Sequence, residues 1–346
     1  MCFKIKINKS HVIEDSKIRV GISLGDPNGI GFEIILKTFE DKKIFDLVVP
    51  IVFANAENFI EQRQSLGFKT NIFSLNNINN PEEGKLNIIK TWDKPFPVIY
   101  GKVQKEAGTA SISSLKAGTQ ALKDKLIDVL VTAPINKKSI QSNSFKFPGH
   151  TDYLNKELEG ESLMFMISDS LKIALATDHI PLSQIIEYLN KDLIERKLNL
   201  LIKSLEYDFG IKNPRIAVLG INPHAGDNGV IGNEDDILIY PIIKKLSNKG
   251  ELVFGPFAAD GFFGSRKHLE YDAILAMYHD QGLIPFKTLT FGSGVNFTAG
   301  LNEVRTSPDH GTAFDIAGEG KADFKSFLQA ILYARSIFLN RRENLA

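Results

Sequence analysis

YDAILAMYHD, residues 271–280, is a short apolar run that closes on a histidine, and the chain builds the same arrangement twice upstream, in LKIALATDH (171–179) and RIAVLGINPH (215–224). Each run is rich in β-branched and other apolar residues and is bounded by polar or turn residues, which predicts a buried strand. In open α/β sheets, ligands bind beyond the carboxyl ends of the strands. His179, His224 and His279 all hold that topological position. Three imidazoles delivered to one sheet edge would converge on a divalent cation and leave a coordination position open to substrate.

Outward from these runs, strand and helix patterns alternate. KIRVGISLG (17–25) reads as a strand, followed by the turn Asp26-Pro27-Asn28-Gly29 and a helical pattern through Glu33, Ile34, Ile35 and Phe39. DLVVPIVFAN (46–55) is a second strand with a helix after it. Residues 73–87, FSLNNINNPEEGKLN, are rich in Asn, Pro and Gly and read as surface loop. An amphipathic helix from Ala107 to Lys125 leads into the strand DVLVTAP, and the weakly periodic segment 139–151 reads as a crossover between domains. The last helix is FKSFLQAILYARSIFL (324–339), and no internal repeat or low-complexity tract interrupts the pattern. Such alternation predicts an α/β fold with a mostly parallel sheet and helices on both faces. The 346 residues suffice for about two domains.

Composition narrows the function classes. A hydrophobic fraction of 43% and a charged fraction of 24% are those of a soluble globular protein. The 41 basic and 41 acidic residues cancel, and no basic stripe is present, which argues against a nucleic-acid partner. The single cysteine, Cys2, leaves no intramolecular disulfide and suits a reducing cytoplasm. No apolar stretch approaches the ~20 residues that span a bilayer. The start, MCFKIKINKSHVIEDSK, lacks a long apolar core and a small-residue cleavage site, so it reads as a short extension carrying one extra strand (FKIKI) and not as a signal peptide.

Any single histidine is more often a surface or core residue than a ligand, and His11 and His268, in polar or helical surroundings, are read that way. The shared strand-end position sets His179, His224 and His279 apart. A three-histidine site suits Zn²⁺, while Co²⁺, Mn²⁺ or Mg²⁺ would fit if substrate oxygens complete the sphere. A second group is cationic and polar: Lys287, then Asn296 and Arg305 beyond a Gly-rich turn, in a stretch read as poor in strand. Such side chains hold phosphates and carboxylates through charge-assisted hydrogen bonds. His150-Thr151, in FPGHTDYL, belongs to a similar loop. No G-x-G-x-x-G links a strand to a helix, so a Rossmann fingerprint is absent. The remaining nucleotide candidate is the loop 309–318 with His310, Gly311, Thr312 and Asp315, whose plainer reading is a loop before the last helix.

GDPNGIG, TAPINK, FPGHTDYL, TDHIPL, NPHAGDNG, YHDQGLIPFK, GVNFTAGL and RTSPDHGTAFDIAGEG, in this order from Ile18 to the C-terminus, closely resemble the 4-hydroxythreonine-4-phosphate dehydrogenase family of pyridoxal phosphate (vitamin B6) biosynthesis. The last block is also similar to the nucleotide-binding segment of isopropylmalate and isocitrate dehydrogenases. Phe32 departs from the family, which has proline after GIG, and the N-terminal extension is unmatched. The resemblance implies two α/β/α domains with mixed, mostly parallel sheets and a cleft between them. The first comprises residues 1–137 with 304–346. The second, 138–303, carries the metal ligands and much of a homodimer interface. It further implies His179, His224 and His279 as ligands of one divalent metal shared between two subunits, and His150, Thr151, Lys287, Asn296 and Arg305 as substrate contacts. His310, Gly311, Thr312 and Asp315 would bind NAD or NADP.

The implied reaction is oxidation of 4-phosphooxy-L-threonine at C3, followed by decarboxylation to 3-amino-2-oxopropyl phosphate. Asp280 and Asp260 are the candidates for the base, and either would alternatively orient a ligand imidazole. Two other readings stand beside this one. A paralogue would act on 4-phosphothreonate or 4-phosphoerythronate. More distantly, a phosphate acyltransferase of the same fold would need neither NAD nor the histidines.

Overall fold

The computed structural model describes residues 17–142, 145–147 and 149–345. The extra strand expected at FKIKI lies outside them. The strands are β1 (Ile18–Ser23), β2 (Val48–Ala54), β3 (Ile72–Leu75), β4 (Leu86–Lys90), β5 (Val129–Thr132), β6 (Gly160–Ile167), β7 (Lys172–Leu175), β8 (Ile216–Leu219), β9 (Val253–Phe257), β10 (Ala273–Ala276), β11 (Val295–Leu301) and β12 (Val304–Pro308). The α-helices are α1 (Gly31–Thr38), α2 (Ala56–Ser65), α3 (Lys105–Lys123), α4 (His150–Glu157), α5 (Ile185–Tyr188), α6 (Lys191–Tyr207), α7 (Tyr240–Ser247), α8 (Ala259–Gly264), α9 (His279–Thr290) and α10 (Lys325–Leu345). None of the helices among the described residues is long and apolar enough to cross a membrane.

All twelve strands join one sheet in the order β3-β4-β2-β1-β5-β12-β11-β6-β7-β10-β8-β9. The block from β3 to β12 is parallel throughout. So is the block β7-β10-β8-β9. Between them, β12/β11, β11/β6 and β6/β7 pair antiparallel. Three reversals leave the two parallel blocks running in opposite directions.

The two faces of the sheet differ, and the difference creates the site. On one face a single apolar core runs the whole width, from Val20 and Val52 through Phe297 and Phe165 to Val218 and Leu275. Helices α1, α10, α6 and α7 cover it; in α6 the buried residues Ile194, Leu198, Leu201, Ile202 and Leu205 recur at helical spacing, behind an Asn190 cap that accepts from Leu193 N at 2.9 Å. The opposite face carries two separate cores. Phe53, Leu115, Leu130 and Leu154 lie with α3 and α4, and Met166, Leu175, Ala276, Leu283 and Phe286 lie with α9. The strands between these cores turn polar on this face: Thr132, Arg305, Ser307, Asn296 and Thr298 alternate with buried neighbours, apolar except Thr306, that point the other way.

Two sequence expectations need correction. The stretch 73–87 is not all loop, because β3 takes residues 72–75 and β4 begins at Leu86. β3 is an edge strand of four residues with one of them buried, so it carries little apolar signal. The segment around Asn296 and Arg305 is not poor in strand: the two residues sit on β11 and β12, mid-sheet. Phe32, the departure from the family pattern, is fully buried in α1 and meets Phe59 of α2 edge-on at 4.9 Å. It is a core residue, and its truncation to Ala would cost about 3–5 kcal/mol.

Candidate active site

The gap between the two cores is a cleft of about 330 Å³. β5, β11 and β12 form its floor, α4 and α9 flank it, and the segment after β12 closes one end. A second, more polar cavity of about 240 Å³ adjoins it across Thr151, Asp152 and Met164.

The exits of β7 and β10 carry the first pair of functional side chains. The ladder continues past both strands, with Thr177 donating to Met277 O from its backbone N at 3.2 Å and from Oγ1 at 2.7 Å. His179 and His279 are thereby brought together, ring centroids 5.6 Å apart, at the cleft wall. α9 can lie close on the sheet because position 282 is glycine: a Cβ there would stand 2.8 Å from Leu175 Cδ2 and 3.0 Å from Ala276 Cβ. Gln281 fixes the start of α9, accepting from Met277 N at 2.7 Å and donating to Gly220 O at 2.6 Å. Asp280 Oδ1 lies 2.7 Å from His279 Nδ1. A carboxylate can only accept, so Nδ1 donates and the lone pair of Nε2 is left for a metal.

His224 lies apart. β7, β10 and β8 are neighbours in this order and parallel, so their three carboxyl ends do share one edge of the sheet. The loop after β8, however, carries His224 outward to an exposed position. Every residue from His224 to Gly229 has a left-handed φ between 45° and 87°, which suits the glycine, aspartate and asparagine of HAGDNG but strains His224 and Ala225. Asp235 clamps the base of the loop, accepting from Ile221 N at 2.7 Å and Asn222 N at 3.0 Å. Among the described residues no three His, Cys, Asp or Glu side chains gather to hold a metal. One chain therefore presents two imidazoles together and the third elsewhere.

Arg305 dominates the floor. Its side chain is fully buried. Nε and Nη2 donate to Thr132 Oγ1 at 3.2 and 2.6 Å, and Nη1 donates to Thr298 Oγ1 at 3.1 Å. No carboxylate pairs with it among the described residues, and burial pulls its pKa down to about 9, which leaves it charged at neutral pH. Around it stand three enclosed polar atoms without a hydrogen-bond partner: His150 Nε2, Asn296 Oδ1 and His310 Nε2. Burial, and then the charge of Arg305, hold the His150 imidazole well below its usual range, so it is neutral. Lys287, in the last turn of α9, donates to Asp309 O at 3.0 Å. Thr151 lines both cavities. Buried polar groups left unpaired are rare and costly, and three in one cleft beside a buried cation fit a polar, anionic ligand.

The loop after β12 forms the remaining wall through Asp309, His310 and Gly311. It docks on the GDPNG turn, where Ile30 N donates to Thr312 O at 3.1 Å. That turn is pinned in its own right. Gly25 has φ +74° and passes so close to the exit of β5 that a Cβ would stand 2.2 Å from Pro134 O. The buried Asp26 accepts from Ser139 Oγ at 2.7 Å and from Asn28 N at 2.9 Å, and burial raises its pKa.

The structure thus brings His150, Thr151, His179, His279, Lys287, Asn296, Arg305, His310 and Gly311 to one cleft. Asp315 and Asp260 are exposed and do not line it, Asp260 lying at the start of α8. Sequence reasoning missed Thr132 and Thr298. A polar residue ending the apolar run VLVT, and the alternation of Asn296 and Thr298 with Val295, Phe297 and Ala299, are the signals that could have found them.

Residues 46–334 match the family model described as pyridoxal phosphate biosynthetic protein PdxA. A 4-hydroxythreonine-4-phosphate dehydrogenase of Bacteroides thetaiotaomicron is 45% identical over 336 residues, which cover 96% of this chain and 92% of that protein. A relative from Oceanobacillus iheyensis, provisionally named a D-threonate 4-phosphate dehydrogenase, is 37% identical over 90% of this chain and 95% of its own length. A crystal structure of a 4-hydroxythreonine-4-phosphate dehydrogenase from Klebsiella pneumoniae superposes with a TM-score of 0.79 at 33% identity, covering 93% of this chain and 98% of that one.

Proposed function

The chain belongs to the PdxA family of pyridoxal phosphate biosynthetic proteins, and from that membership we propose that it oxidises 4-phosphooxy-L-threonine at C3 and decarboxylates the product to 3-amino-2-oxopropyl phosphate. The observation that carries this reading is the buried, carboxylate-free Arg305 and its unpartnered polar neighbours, set in the same cleft as two adjacent imidazoles. A doubly anionic substrate answers both features. Its phosphate or carboxylate neutralises the guanidinium, and its C3 oxygen lies toward His179 and His279.

The residues fit a divalent metal in part. His179 and His279 supply two imidazoles, with Asp280 fixing the tautomer of one. His224, exposed on its left-handed loop, would supply the third from a second copy of the chain, so the active unit is a homodimer. This donor set suits zinc, and cobalt, manganese or magnesium if substrate oxygens complete the sphere. Such a metal, when bound, supplies Lewis acidity to the oxygen at C3. A nicotinamide cofactor, NAD or NADP, is the hydride acceptor, and His310, Gly311 and Thr312 would hold it at the end of the cleft, with Asp315 on the outer side of that loop.

Lys287 and Arg305 clamp the anionic ends so that C3 is oriented before reaction. Asp280 serves by holding His279, and Asp260 of the same chain lies outside the cleft. Oxidation removes a hydride from C3 and the proton from its hydroxyl. The resulting β-keto acid loses C1 as CO2, and C2 takes up a proton. The division into residues 1–137 with 304–346 and residues 138–303 belongs to this reading; its second boundary falls in the turn between β11 and β12. So does a cytoplasmic location, supported by the single cysteine.

The test is NADH absorbance on mixing the protein with 4-phosphooxy-L-threonine and NAD⁺, with and without EDTA. Metal-dependent NADH formation is expected. A signal only with 4-phosphothreonate or 4-phosphoerythronate would keep the chemistry and replace the substrate, and silence with all three would overturn the proposal.

A further inference from the structure

We propose that Thr132 and Thr298 are positioning residues for anion recognition, holding the buried Arg305 fork in one orientation with neutral oxygens so that its charge is kept for the ligand. The inference rests on the anionic-substrate reading of the cleft and adds to it the residues that set the geometry.

The sheet places the three side chains together. Arg305 pairs with Leu130 on β5, so Thr132, two residues on, shares its face. Phe297 pairs with Thr306, so Thr298 stands directly across from Arg305 on β11. A guanidinium offers five N–H donors. Thr132 Oγ1 takes the one on Nε and one on Nη2, and Thr298 Oγ1 takes one on Nη1. One N–H then remains on each terminal nitrogen, a fork that two oxygens of a single anion can fill.

The choice of threonine matters. A buried arginine is normally held by a carboxylate, which would fix the fork but cancel its charge toward any incoming anion. Hydroxyl oxygens accept the same hydrogen bonds without that cancellation. The β-branched threonine also has few side-chain rotamers on a strand, so the acceptor stays in place. Thr298 is 1% exposed and Thr132 is fully buried, so neither hydroxyl is exchanging its partner for bulk water.

The test measures inorganic phosphate and L-threonine binding by calorimetry, without cofactor, together with KM and kcat, in T132V, T132S and T298V. In T132V the affinity for phosphate falls about tenfold, the scale of one misaligned charge-assisted hydrogen bond, and the loss in turnover falls on KM rather than kcat. T132S, which keeps the hydroxyl and loses only the β-branch, restores most of both. T298V loses less, since Thr298 takes one N–H where Thr132 takes two. If L-threonine binding is weakened in place of phosphate, the fork serves the carboxylate end, and the positioning role stands. Folded T132V with unchanged affinity for both probes, or T132S as impaired as T132V, overturns the proposal. Should T132V fail to fold, T132S and T298V decide by the same criteria. Weakened phosphate binding without turnover on any substrate would sink the proposed reaction alone; normal turnover with unaltered KM in T132V would sink this inference alone.

Discussion

Arg305→Met replaces a buried charge with an apolar side chain of similar length, and the structure sets the size of the effect. The fall of the guanidinium from its ordinary value to about 9, at about 1.4 kcal/mol per pH unit, caps the cost of burying the charge near ~5 kcal/mol. The sign follows from the titration. Arginine is a base with a depressed folded-state value, so the penalty is full at every pH below about 9 and is relieved only as pH rises above it. Against that gain, the variant strands the hydroxyls of Thr132 and Thr298, at about 1 kcal/mol each. The ligand-free variant should therefore be as stable as the parent or up to ~3 kcal/mol more stable, in line with other buried charges replaced by apolar groups.

Ligand inverts the order. At a hundredfold excess over its dissociation constant, an anion that binds the folded parent adds about 2.7 kcal/mol, and the variant should gain almost nothing. Thermal unfolding with and without inorganic phosphate reads both quantities. A variant several degrees less stable than the parent in phosphate-free buffer, yet shifted upward equally by phosphate, would show that Arg305 is structural and that the anion binds elsewhere.

His224→Ala and His279→Ala should each lack turnover with unchanged far-ultraviolet circular dichroism. Unfolded, mixed in equal amounts and refolded together, they should recover about a quarter of parental activity, because half the dimers are mixed and each mixed dimer rebuilds one complete site. No recovery would place all three imidazoles within one chain or remove His224 from the site. For His150, burial and the neighbouring guanidinium keep the folded-state imidazole neutral well below 6.5. The unfolded chain takes up a proton that the folded chain refuses, so stability is present above 6.5 and falls below it, by up to about 1.4 kcal/mol per pH unit. Urea midpoints of His150→Gln should fall less than those of the parent between pH 6.5 and 5, and parallel curves would mean that His150 titrates normally.

Features that depend on local pattern were legible in the sequence. LKIAL, RIAVL and DAILA are mostly apolar because both faces of their strands are covered, and the first polar residues beyond them, Thr177, Asn222 and Tyr278, mark the sheet edge whatever the rest of the chain does. The pattern hid what the faces do. VNFTAGL alternates because one side joins the core and the other lines a cleft, and with glycine turns before it that half-polar strand passed for loop. β3 failed for the opposite reason, since an edge strand with a single buried residue has almost no periodicity to detect.

The site's energetics were not legible, because they depend on what a side chain lacks. In the sequence Arg305 stands out only as one cation of a polar group, with no sign of its burial. Its meaning comes from Thr132, 173 residues away, from Thr298 across the ladder, and from having no ion-pair partner among the described residues. The histidines show the same limit from the other side. Strand order could place three imidazoles on one edge, and the structure confirms that β7, β10 and β8 are adjacent. Strand order fixes no distances, however, and six consecutive left-handed residues carry His224 away from the pair it was expected to join. A strained loop that holds one imidazole outward, with two others at a cleft wall, is what the proposed completion of the site by a second copy requires. The mixed-variant experiment separates that arrangement from a loop that merely happens to contain a histidine.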